Sequence, residues 1–196
     1  MIIALCVALA LVAIYLILRY FSLKRDQNYK IGLAQAYEAK DWDTYLSILN
    51  YKISKTNEIK DKNILATLKI QAYLWQQDWD KINALYKQID MKKLPKKIKL
   101  TFLCHYITAL FLSDKPNSAK GFITKNKTFL AEGENNTAYQ LYLDGFKAFQ
   151  AYEDGDYPTA KKIFTQLEHD KVGNEFYKGI YKSYLEKIAA KEKENI

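Results

Sequence analysis

The sequence has few chain breakers: its 196 residues include only 7 glycines and 3 prolines. No long stretch alternates apolar and polar residues with period two, so half-buried β-strands are not expected. Cysteine is almost absent. Cys6 and Cys104 lie far apart, and a chain without a disulfide framework suits a reducing compartment. The two histidines, His105 and His169, never gather with the cysteines at ligand spacing, so no metal site is expected. There is no Gly-rich phosphate loop, no serine nucleophile elbow and no zinc-protease helix motif. Catalysis is therefore not expected, and no cofactor is implied. The adjacent Cys104 and His105 do not supply a catalytic pair, because neighbours on a helix do not face each other. Glu153, Asp154 and Asp156 crowd one turn but lack the alternating oxygen ligands and distal Glu of a calcium loop.

Charge of one sign is only mildly in excess: 30 Lys+Arg stand against 22 Asp+Glu. That excess is a weak pointer to nucleic acid, which would also want a reading helix or aromatic platforms. The densest cationic run is Lys92, Lys93, Lys96, Lys97 and Lys99. Its plain reading is a solvated connection between repeats. Its functional reading is a contact with an anionic surface or an acidic partner.

Met1 to Leu18 carries no charged side chain. With Tyr20 and Phe21 counted as interfacial, this run approaches the roughly 20 apolar residues that cross a bilayer. It lacks the basic n-region of a cleaved signal peptide. Arg19, Lys24, Arg25 and Lys30 follow it and no basic side chain precedes it. The positive-inside rule then puts the N-terminus out and the rest in the cytoplasm. The expectation is a single-pass membrane protein: anchor over 1–21, juxtamembrane linker over 22–28, helical repeat domain over 29–192 and a frayed tail over 193–196.

Beyond the leader, apolar residues recur at three- and four-residue steps, as in Ile64, Leu65, Leu68, Ala72 and Trp75, which is the stripe of amphipathic helices. The stripes break at recurring polar corners. These are Asp41-Trp42-Asp43, Asp78-Trp79-Asp80, the stretch around Pro116, and Asp154-Gly155-Asp156-Tyr157. Successive corners are 37, 37 and 41 residues apart. A period near 40 in helix–turn–helix units is the mark of an α-solenoid. Helices are expected over 28–39 and 42–54, 61–76 and 79–90, 95–112 and 116–130, and 136–153 and 157–168, with a cap at about 173–191. Asp at a corner can cap the second helix, and Pro116 and Pro158 fit its first turn.

Residues 148–164, AFQAYEDGDYPTAKKIF, resemble the core of a tetratricopeptide repeat, with Ala148, Tyr152, Gly155-Asp156-Tyr157, Ala160 and Phe164 in the family's positions. The match is partial at 34–49 and 71–86, where Asp-Trp-Asp replaces Gly-Asp-Tyr. It is weak in the third unit. Tyr45 and Ile82 stand where the family has a small residue, and the period exceeds the family's 34. With the apolar leader and the helical stripes, the expectation is an all-α chain: the transmembrane helix, then a right-handed α-solenoid of about four helix–turn–helix repeats, then a capping helix; the resemblance implies that the stack is curved. It also implies a concave face, lined by the first helix of each unit, that binds a segment of a partner protein. The function expected is that of a membrane-anchored scaffold or adaptor. An extracytoplasmic chaperone-like assembly factor and a fixed regulatory subunit of a membrane complex are the alternatives. The large aromatics of the first helices are Tyr37, Tyr73, Trp75, Tyr106, Tyr142 and Phe149. The groove candidates are Tyr37, Gln71, Tyr73, Tyr106 and Gln140, since Tyr offers contact area at low entropic cost.

Overall fold

In a computed structural model the chain is described at residue 24 and over 26–134, 136–170 and 174–194. These residues are helical and contain no strand. Two compact units divide between Glu58 and Ile59, a boundary inside the expected 29–192 repeat domain.

The first unit holds α1, over residues 26–38, and α2, Trp42–Lys55. Tyr37, Trp42 and Tyr45 pack as a ring triad at their corner, with centroids 5.5 to 6.0 Å apart. Lys52 pairs with Asp26 across the two helices.

The second unit holds α3 (Ile59–Thr67), α4 (Lys69–Trp75), α5 (Trp79–Gln88), α6 (Lys96–Leu112), α7 (Pro116–Lys125), α8 (Lys127–Ala131), α9 (Thr137–Glu153), α10 (Tyr157–Glu168) and α11 (Glu175–Glu194). Three antiparallel hairpins, α4–α5, α6–α7 and α9–α10, follow one another: α4 packs on α6, α6 on α9, and α11 closes on α10. Buried Asn63 ties α3 to the end of the first hairpin. Its Nδ2 donates to the Asp90 carbonyl at 2.7 Å, and its Oδ1 accepts from the Asp90 N–H at 3.1 Å.

The corners repeat atom for atom. Lys40, Gln77, Asp114 and Gly155 each take a left-handed conformation, with φ of 55°, 54°, 54° and 80°. The N–H of the next residue then bonds back to the carbonyl five positions earlier: Asp41 to Ala36, Asp78 to Tyr73, Lys115 to Leu110 and Asp156 to Ala151. This is the Schellman closure of a helix C-terminus. In three corners the same residue opens the next helix, since the carboxylates of Asp41, Asp78 and Asp156 accept the N–H of Thr44, Lys81 and Thr159. Lys115 cannot accept, and there Pro116 starts α7 with its fixed φ. Only one of the four left-handed positions is glycine. Gln77→Gly is therefore expected to raise stability by about 0.5–1 kcal/mol, because a side chain at positive φ costs about 1–2 kcal/mol and glycine's greater unfolded freedom returns part of that. Gly155→Ala is expected to lower stability by about 1 kcal/mol for the same reason. Urea denaturation midpoints check both.

Two expected helices are each broken in two. The span 61–76 divides at Leu68, after Thr67 Oγ1 donates to the Ile64 carbonyl at 2.6 Å. The span 116–130 divides at Asn126, whose Nδ2 donates to the Phe122 carbonyl at 2.9 Å. In both, a short polar side chain competes for helix carbonyls.

The expected membrane span is a correction. Among the described residues no helix is long and apolar enough to cross a membrane. The 20-residue α11 carries Lys178, Lys182, Glu186 and Lys187 along its length. The most apolar, α6, has 17 residues and three lysines in its first turn, short of the roughly 20 apolar residues a bilayer requires. Residues 1–21, on which the expected anchor falls, lie outside the described residues. The transmembrane helix, the single-pass localisation with N-terminus out and a cytoplasmic repeat domain, and the membrane as a partner are accordingly not retained.

Candidate functional site: an aromatic cleft beside the last helix

The inner face of the hairpin series is made by the first helices, α4, α6 and α9. The structure places α11 against all three. Trp75 of α4 meets Phe176 with centroids 5.0 Å apart. His105 of α6 stacks beside Tyr177 at 6.1 Å. Phe149 of α9 meets Tyr184 at 5.0 Å. Gly145 makes this approach possible, because a Cβ there would stand 3.0 Å from the Tyr181 hydroxyl.

A buried polar chain pins the contact. His105 is 2% exposed, and each of its ring nitrogens has a partner at 2.6 Å: Nε2 with the Gln71 amide nitrogen and Nδ1 with the Tyr177 hydroxyl. With the Gln71 amide donating to Nε2, the ring proton sits on Nδ1 and is donated to the Tyr177 oxygen. The Tyr142 ring stands edge-on to the imidazole at 5.3 Å, so residues of four helices meet at one histidine. Burial pushes the imidazole pKa down to about 4, because nothing nearby compensates a desolvated cation. Burial likewise pushes the Cys104 thiol up to about 12. A thiol held protonated and a neutral, enclosed imidazole bonded to other residues make a joint between helices, not a nucleophile and its base.

Beside this joint the stack leaves a cleft of about 370 Å³ between α11 and the α4–α5 and α6–α7 corners. One wall is a single stripe of α11: Phe176, Gly179, Ile180, Ser183 and Lys187, spaced three and four apart. The facing wall is Leu74, Trp75, Gln77 and Trp79 from one corner, with Leu112 and Asp114 from the other. Gln77 and Asp114 occupy the left-handed positions of their corners, so the repeated turn aims both into the cleft. A Cβ on Gly179 would meet nothing within 4 Å.

None of the five groove candidates from the sequence lines this cleft. Tyr37 belongs to the first unit, in the ring triad with Trp42 and Tyr45. Gln71 does face inward, but its amide is engaged by His105. Tyr73 lies under the Lys81 ammonium, 5.7 Å from the ring centroid. Tyr106 turns toward the second helices, stacking on Tyr86 at 4.0 Å and donating to Asn83 Oδ1 at 3.1 Å. Gln140 donates to Asp144 at 3.0 Å on its own helix. Of the five lysines, Lys93 pairs with Asp90 at 3.4 Å and Lys96 with Glu132 at 2.9 Å. Lys99 lies 4.8 Å from the Phe129 ring centroid, the Lys97 carbonyl accepts from Tyr139, and the Lys92 N–H donates to Asp90. Three of the five charges are thus used inside the chain. Sequence reasoning missed Trp79, Asp114, Phe176, Ile180 and Lys187. The signal that could have found Phe176 and Ile180 is a second pair of apolar positions on α11, which a one-sided capping helix does not need.

Among the described residues no group of three or more His, Cys, Asp or Glu is placed to hold a metal ion. The second unit is thus a series of helical hairpins with an aromatic recess beside α11. Comparison with protein-family models, with curated proteins and with solved structures finds no match.

Proposed function

We propose that the chain is a docking protein without catalysis of its own, and that its second unit holds a segment of a partner protein in the cleft beside α11. The observation that carries this reading is the cleft itself. Its volume of about 370 Å³ lies within the range of ligand-binding recesses. Trp75, Trp79 and Phe176 are all partly exposed in it, and half-open aromatic rings grouped in a recess are what anchors of protein interfaces look like. The tetratricopeptide resemblance supports the same reading, although α11 covers the inner face where that resemblance would seat a partner. The segment then docks along the edge of α11.

Gly179→Phe tests this. The substitution fills open space and replaces a poor helix former, so the melting temperature of the full chain is expected to hold or rise. Crosslinking in intact cells, with the captured partner quantified, should show at least a tenfold loss relative to the native chain. Recovery of the same partner at the same yield would sink the proposal.

A further inference from the structure

We infer that the segment held in the cleft is acidic: a bulky apolar side chain with an aspartate or glutamate three residues away from it. This rests on the segment-docking reading above and adds the chemistry of the segment. The cleft is polarised along α11. At one end Trp75, Phe176 and Ile180 form an apolar recess, the two rings 5.0 Å apart. At the other end stands Lys187. Its ammonium lies 4.5 Å from the Tyr184 ring centroid, and among the described residues no carboxylate lies within 4.0 Å of it. Neighbouring lysines differ: Lys161 pairs with Glu192 at 2.7 Å and Lys178 reaches Glu175 at 3.7 Å. An exposed ammonium against an aromatic ring, at the rim of an apolar recess, is a site for a carboxylate.

Spacing follows from helix geometry. Ile180 and Lys187 are seven positions apart on α11, or about 10 Å at the helical rise. An extended peptide covers that distance in about three residues. Gly179, just before Ile180, and Ser183, between Ile180 and Lys187, are exposed and leave room for its backbone. Asp114, on the facing wall, offers a carboxylate oxygen that can accept a peptide N–H. The wider field agrees, since residues 59–196 carry 23 Lys against 17 Asp+Glu, which favours encounter with an anionic partner.

The experiment is selection of a displayed random heptapeptide library on the immobilised full chain, in native form and as Gly179→Phe and Lys187→Glu. Ser183→Trp, at an exposed position on the same stripe, is a second plug should Gly179→Phe fail to fold. The native chain is expected to enrich, at least tenfold, peptides with an aromatic or large aliphatic residue and an acidic residue three positions away in either direction. Both plugs should abolish the enrichment, and Lys187→Glu should turn the preference to Lys or Arg. Plug-sensitive enrichment with no acidic preference, or with Lys or Arg preferred by the native chain, overturns this inference and leaves segment docking standing. Enrichment absent, or indifferent to both plugs, overturns both.

Discussion

Phe164→Ala is expected to destabilise the second unit by about 3–5 kcal/mol, the range for deleting a fully buried aromatic side chain. Phe164 is 0% exposed and sits where α9, α10 and α11 meet. Its ring centroid is 5.3 Å from Phe149, 5.7 Å from Tyr181 and 5.2 Å from Tyr184. None of these rings can collapse into the gap without leaving the others, and Ala160 on the same helix is already small and 0% exposed. The cost should therefore fall in the upper half of the range, with a drop in melting temperature on the order of 10 °C. Guanidinium unfolding with an unchanged m value measures it. A loss below about 1 kcal/mol would mean that α11 does not close on α10 as described.

Acid should weaken the same unit through His105, by about 3 kcal/mol between pH 6.5 and 4. Folding holds the imidazole neutral, with its pKa pushed down from 6.5 to about 4 by burial. In the unfolded chain it takes a proton below pH 6.5. Above pH 6.5 both states are neutral and the residue makes no pH-dependent contribution. As pH falls from 6.5 toward 4 only the unfolded state gains the proton, so stability declines through that window and levels off below it. The cap carboxylate of Asp78, held low chiefly by the hydrogen bond from Lys81, adds a loss at lower pH. His105→Gln separates the two effects. The variant begins less stable, since it disturbs the bonds to Gln71 and Tyr177, but between pH 6.5 and 4 its stability should fall by far less than that of the native chain. Parallel pH profiles for the two proteins would refute the assignment.

The corners show how much of the fold was legible. Asp41, Asp78 and Asp156 read as caps from sequence and are caps in the structure; Pro116 and Pro158 fall in the first turn of their helices. The cap near 173–191 corresponds to α11. These features depend on a few residues at short spacing, so local chemistry suffices. The faces of α6 were not legible in the same way. Leu100 to Phe111 is nearly all buried, and a helix apolar on every side offers no periodicity from which to tell the inner face from the outer. Tyr106 therefore went to the wrong side, and His105, one residue away, carries the joint.

The sequence by itself determined that the chain folds into helical hairpins, and where they turn. Glycine, proline and aspartate at the corners act on their own backbone neighbours, and the three- and four-residue stripes need only some apolar partner. Tertiary structure alone decided which partner. Whether α11 lay across α4, α6 and α9 depended on Gly145 admitting Tyr181 and on Gln71, His105 and Tyr177 meeting from three helices 34 and 72 residues apart in sequence. Contacts at that separation leave no periodic trace, and the cleft, whose walls are residues of 74–79, 112–114 and 176–187 brought together by the fold, leaves none either.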